Sequence, residues 1–378
     1  MYGTLDVPSF DIVPTRASGD HMNGPALASG GKQLTRSLLV CYSMPSYDLA
    51  LPLPATGDVT TVEQCDLAIA AEDAGYDLVM VPETWGREAF TRLGYLAART
   101  ETIGLGTGII PVYSRSPALI AQGAATLDEL TDGRAVLGLG LSGPKVIENW
   151  HGVDFQPALR RQRETIEIVR RVLSGNEVTY DGRLFDLRHF RLRFEPHRSD
   201  VPIYVAAQGE TNIELTGGFG DGWMPNRIPV SALPAKREHV DRGARKQDRD
   251  PEAVATIPWV TTCVLEDGER ARDRCREMIA FYVGAMGDFH YDAVADHGFR
   301  DVADRIQDEW EAGEKDAARA AVSDDLLDEI AIAGSPDAVE HLFERYEGIA
   351  DTLALLPPTT ATVEEIRETI DNVGETVA

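Results

Sequence analysis

The 378-residue sequence predicts an α/β fold, a closed (β/α)8 barrel with insertions. Two features predict it. Eight short apolar runs alternate with amphipathic helical patterns, the series that parallel strands joined by helices produce. Within 103–152, moreover, each apolar run is followed directly by a loop of Gly and polar residues, where barrel strands end and chemistry is placed. An open doubly wound sheet is the alternative, and the count of eight favours closure.

Residues 1–33 have no periodicity and are rich in Gly, Pro, Ser and Asp, so they predict a disordered extension before one barrel domain over 34–378. LLVCYSM (38–44) is the first strand. VEQCDLAIAAEDAG (62–75) has helical spacing and ends at Gly75. A strand over 77–83, a helix over 88–100, a strand over 103–110 and a helix over 117–133 follow, the last closed by Asp132-Gly133. The fourth strand is 134–141 and its helix 158–175. A first insertion, near 142–195, contains EVTYDGRLFDLRHFRL, whose alternation about Asp181-Gly182 reads as a hairpin. Strands over 202–207 and 221–226 flank a helix over 212–217, and 257–265 is the seventh strand. A second insertion, helical throughout, spans 269–333. The eighth strand is 352–358 and the last helix 363–373.

The composition narrows the function. A net charge of −26 argues against nucleic acid, whose phosphates need a basic face. No apolar run approaches the roughly 20 residues that span a bilayer, and no secretory signal pattern opens the chain. Cys41, Cys65, Cys263 and Cys275 have no CxxC spacing, which suits a reduced, cytoplasmic protein without a cysteine metal site. Only five lysines occur among 36 basic residues. This acidic, lysine-poor balance resembles proteins of salt-accumulating haloarchaea, where salt screens self-repulsion.

The predicted strand ends collect Tyr42-Ser43, Glu83-Thr84-Trp85, Gly108-Ile109-Ile110, Ser142-Gly143-Pro144, Gln208-Gly209-Glu210-Thr211, Asn226-Arg227 and Pro357-Pro358. These residues have no metal-ligand spacing and no nucleophile beside a base. Apolar faces, small residues and hydrogen-bonding groups suit a flat cofactor that carries the chemistry itself. Gln208–Thr211 precedes a helix, whose first N–H groups can receive a phosphate. Glu148 and His151 are the remaining ionisable groups near the mouth, and Tyr180 and His189 read as surface packing of the hairpin.

Three segments, IGLGTGIIPVYSRSPALIAQ, RAVLGLGLSGPKVIENWHGV and PIYVAAQGETNIELTGGFGDGW, resemble the bacterial-luciferase-like oxidoreductases. Within that family the resemblance is to the branch using the deazaflavin coenzyme F420, which includes archaeal methylenetetrahydromethanopterin reductases. It covers 36–358. It implies a luciferase-like (β/α)8 barrel, a homo-oligomer, and hydride transfer between the deazaflavin and a small-molecule substrate such as a pterin or folate-like one-carbon carrier. By position, Gly108-Ile109 matches a non-proline cis peptide that supports the ring system, and Glu83 an acid that contacts the cofactor. Ser142, Gln208, Gly209 and Thr211 match its phosphate side. Asn226 and Arg227 match substrate-side positions, where Arg can hold an anion. The catalytic candidates are Thr84, Trp85 and Glu148. Thr84 departs from the family, which places a His there in several members, and Thr is not a tuned acid near neutral pH. An FMN-dependent monooxygenase of the same fold and a non-catalytic relative are the alternative readings. No metal, membrane or nucleic-acid partner is expected.

Overall fold

The computed structural model describes residues 47–54, 58–286 and 288–377, with the side chains of Asp288 and Phe289 left aside. The first half contributes strands β1 (Asp48–Pro52), β2 (Leu78–Val81), β3 (Gly104–Thr107), β4 (Ile110–Pro111) and β5 (Ala135–Gly140). An antiparallel hairpin, β6 (Val178–Asp181) and β7 (Asp186–Phe190), follows at the expected turn. The second half adds β8 (Ile203–Ala206), β9 (Gly222–Met224), β10 (Ala255–Thr256), β11 (Trp259–Val264), β12 (Ala331–Gly334) and β13 (Thr352–Leu356).

All ladders outside the hairpin are parallel, and they close a ring. β1 lies between β2 and β13, and the order continues β2, β3, β5, β8, β9 and β10. β10 and β11 are two halves of one bent strand: Ala255 pairs with Gly222 of β9, whereas Trp259 pairs with Ala354 of β13. A bridge from Asn226 to Trp259 joins the two edges. Among the described residues eight strand positions therefore form the barrel, the number of apolar runs in the sequence.

Three expectations change. The strand expected over 38–44 lies outside the described residues, and the position between β2 and β13 belongs to β1. The run 103–110 is not one strand. Gly106 pairs with Val136 and Ile110 with Leu139, so three residues on one side face two on the other, a bulge of the kind found at barrel rims. The segment 269–333, read as wholly helical, ends in β12, which pairs along Thr261–Val264 on the far side from β13. AIAG carries no alternation that marks a strand; only the neighbouring β11 edge makes it one.

Local chemistry sets the helices. Thr60 and Glu63 form a reciprocal capping box before the helix Thr61–Asp73. Ser116 caps Pro117–Leu130, with Pro at its first turn, and Asp132 and Gly133 leave it at positive φ. The main core lies between strands and helices and includes Leu105, Leu137, Ile120 and Ile168. A second cluster fills the barrel itself, from Ala50, Leu78, Met80, Met224, Ile257, Trp259 and Ala354. A third, around Cys275, Ile279, Ile306 and Leu327, packs the helices that follow β11. Cys65, Cys263 and Cys275 are free thiols, all buried. Among the described residues no helix is long and apolar enough to cross a membrane.

Candidate active site

The rim at the strands' C-terminal ends is built around the bulge between β3 and β4. Thr107 turns its hydroxyl onto Gly138, accepting from Gly138 N and donating to Gly138 O, both at 2.8 Å, so the side chain replaces the missing ladder bonds. The peptide bond from Gly108 to Ile109 is cis, at the position the resemblance indicated. Gly108 N donates to Val81 O at 2.9 Å and Ile109 O accepts from Glu83 N at 3.0 Å, which ties the bulge to the end of β2. Only glycine fits: a Cβ at 108 would lie 2.8 Å from Met80 Cβ and from the Trp259 ring.

Trp259 stands among the residues that fill the barrel. It is 9% exposed, and its indole Nε1 is buried with no hydrogen-bond partner. Thr261, two residues along the same strand face, has an equally unpartnered hydroxyl, and so does Thr84. Buried donors are normally satisfied. Unmatched ones at one rim therefore point to polar groups of a bound molecule.

Glu83 is 8% exposed and fully engaged. Arg115 Nη1 reaches its Oε1 and Nη2 its Oε2, each at 2.7 Å, while Oε2 also accepts from Ala89 N at the start of the next helix. Glu88 pairs with the same guanidinium. The neighbouring carboxylates raise Arg115 above the ordinary arginine value despite the opposing effect of burial. The carboxylate thus ties the end of β2 to the loop after β4 and to the start of the next helix. Arg115 was not expected here, because the strand resumes at Ile110 and carries the mouth loop four residues further on.

The remaining positions divide in two. Gln208 Nε2 donates to Asn226 O at 2.9 Å, and Arg227 N to Trp259 O at 3.2 Å, so the ends of β8, β9 and β11 are one connected rim. Gly209 caps the helix Glu210–Phe219 without a side-chain bond, which leaves first-turn N–H groups available, and Thr211 is exposed beside it. Gln162, buried, holds that turn by donating to Asn212 Oδ1 at 2.7 Å. Ser142 follows β5 at φ 59°. Trp85 is 52% exposed, and Glu148, on the π-helical turn Val146–Trp150, is exposed and pairs with none of the other candidates. His151 is half-buried with Nε2 unpartnered. Tyr180 donates to Glu167 at 2.7 Å and His189 meets Glu177 at 2.9 Å, contacts within the hairpin region.

The surroundings of Arg227 are the unexpected feature of this rim. The residue is 7% exposed, sits at φ 55°, and its guanidinium lies 3.7 Å over the ring of Tyr282, from the helix Gly268–Ala285. Tyr282 in turn packs edge-on against His290 at 4.9 Å. Burial, then the Arg227 charge, push His290 down to about 4. Tyr282 and His290 come from the second insertion, so nothing local in the sequence placed them at the mouth.

A family profile described as luciferase-like monooxygenase matches residues 52–353. A Mycobacterium tuberculosis protein named for coenzyme F420-dependent oxidoreductase activity is 33% identical over 346 residues, covering 85% of this chain and 97% of its own. The 5,10-methylenetetrahydromethanopterin reductase of Archaeoglobus fulgidus is 31% identical over 272 residues, covering 71% of this chain and 81% of its own. Among solved structures, the coenzyme F420-dependent tetrahydromethanopterin reductase of Methanopyrus kandleri superposes with a TM-score of 0.76 at 23% identity, covering 89% of this chain and 99% of that one. At that identity it speaks for the fold.

Proposed function

The chain belongs to the luciferase-like monooxygenase family, and from that premise we propose that it is a coenzyme F420-dependent oxidoreductase. Its reaction moves a hydride between the deazaflavin and a small organic substrate. The observation that carries this reading is the convergence of the Gly108–Ile109 bulge with the unpartnered Trp259 Nε1 and Thr84 hydroxyl on one rim. The near full-length likeness to the Mycobacterium protein supports deazaflavin in particular.

The residues fit such a group. Ile109 and the apolar mouth offer a flat support, and Trp259 Nε1 and Thr84 offer hydrogen bonds to a heteroaromatic edge. Ser142, Gln208, Gly209 and Thr211 would hold the phosphate side, through the uncapped turn at Gly209. When bound, the deazaflavin supplies the hydride-carrying carbon. The chain's own part is to orient the ring against the substrate and exclude water. Trp85 and Glu148 would line the substrate's approach, and Asn226 and Arg227 would hold the substrate. The likeness to the Archaeoglobus reductase favours an iminium-like one-carbon carrier as that substrate. The protein would work in the cytoplasm as a homo-oligomer, with an acidic, lysine-poor surface suited to concentrated salt.

The test is anaerobic and aerobic mixing of the purified protein with reduced F420. Oxidation of the cofactor by a methylenetetrahydropterin and not by O₂ is the expected result. Oxidation by O₂ alone would assign an oxygenase instead.

A further inference from the structure

Arg227 is buried without a counter-charge in a chain of net charge −26. Among the described residues no carboxylate pairs with it. Nη1 donates to the neutral amide oxygen of Asn226 at 3.1 Å, the guanidinium also hydrogen-bonds Tyr282, and its Nε is buried and unpartnered. Arg92, the other buried arginine among the described residues, also leaves its Nε unpartnered, but its terminal nitrogens are taken up by Pro82 O, Pro54 O and Gln64 Oε1. Arg227 has no such set of carbonyls. Its backbone is held in the left-handed region, where a non-glycine residue is uncommon, and its plane is fixed by stacking on Tyr282. A desolvated cation is unfavourable until an anion reaches it, and burial accordingly lowers the Arg227 pKa.

Resting on the reading of Asn226 and Arg227 as substrate-side residues, we propose that Arg227 is the anchor for a single carboxylate group of the substrate, with Tyr282 and His290 forming the wall of that subsite. Carboxylate fits better than phosphate for a reason of charge balance. One guanidinium neutralises one negative charge and presents a planar fork to a planar anion. His290, packed against Tyr282, is neutral through the physiological range and adds no second positive charge. Arg227 N is bonded to Trp259 O, so the carboxylate would be held beside the mouth and next to the Gly108 bulge.

The probes are acetate and propionate against their uncharged counterparts, acetamide and propionamide, with inorganic phosphate as the competing anion. They are added to the full-length protein at constant ionic strength, and melting temperature and tryptophan fluorescence are followed. The carboxylates should give a saturable response and the amides none. Arg227→Gln should weaken the carboxylate response by about tenfold or more, the loss of a charge-assisted pair. Arg227→Lys, which keeps the charge and loses the fork, should weaken it less, and it serves as the second variant if Arg227→Gln does not fold. Equal responses to acetate and acetamide, or an unchanged response in both variants, would overturn the proposal. Phosphate binding more tightly than the carboxylates would overturn the single-charge assignment. F420 titration of the same samples separates the two readings: no F420 binding with an Arg227-dependent carboxylate response refutes the cofactor and leaves the anchor standing.

Discussion

Glu83 and Arg115 form a two-point ion pair at 2.7 Å that joins the end of β2 to the loop after β4, with both side chains almost withdrawn from water. Removing one partner strands the other charge. Arg115→Leu should destabilise the protein by roughly 3–5 kcal/mol. Adding Glu83→Gln should recover part of that loss, because the amide oxygen can still accept from Ala89 N without carrying a charge. Denaturant melts of the single and double variants check the order; equal losses would remove the pair from the account.

Trp259 separates packing from hydrogen bonding. Trp259→Phe keeps a ring against Gly108 and deletes the unpartnered Nε1 donor. F420 affinity should fall about tenfold, the worth of one hydrogen bond, with little change in melting temperature. A variant that binds F420 as well as the parent would show that the indole N–H faces no cofactor atom.

His290 gives stability a pH dependence. In the unfolded chain its value is the ordinary 6.5, and in the folded protein it is about 4. Between those values the unfolded chain binds the proton and the folded one does not. The neutral-pH stability is therefore complete above about 6.5 and is lost as pH falls toward 4. His290→Gln should flatten this slope, with a parent-minus-variant difference reaching on the order of 3 kcal/mol at most. Paired melts at several pH values read it directly, since the other titrating groups are common to both proteins.

The helix that offers its N-terminus to the proposed phosphate is seated by glycine. A Cβ on Gly243, in the helix Leu233–Lys246, would lie 1.8 Å from Glu214 O on the helix Glu210–Phe219. Gly243→Ala should lose roughly 1–3 kcal/mol of stability and should weaken F420 binding by displacing Gly209 and Thr211. Gly94→Ala, with nothing within 4 Å, is the control, and should be neutral or slightly stabilising.

Much of the barrel was legible because its signals are local. Gly75, Asp132-Gly133 and Asp181-Gly182 mark chain reversals by their own chemistry, and the strands around them are short apolar runs. The β3 break was not, because IGLGTGII is apolar throughout and the extra residue appears only against β5. Likewise β12 becomes a strand through an edge supplied some 70 residues earlier in the chain, by Thr261–Val264. At the site, Glu83, Thr84, Gly108, Gln208 and Arg227 were found by counting to strand ends. Trp259 was passed over as an ordinary strand residue, since the bend between β10 and β11 that turns it into the mouth leaves only Pro258 as a local sign. Tyr282 and His290 reach the rim by tertiary packing alone.

The central claim is the cofactor, and titration tests it most directly. Purified protein in concentrated salt is titrated with F420 and, separately, with FMN, and quenching of cofactor fluorescence is followed. Saturable quenching with F420, and much weaker or absent quenching with FMN, is the predicted result. Tight FMN binding with no response to F420 would contradict it.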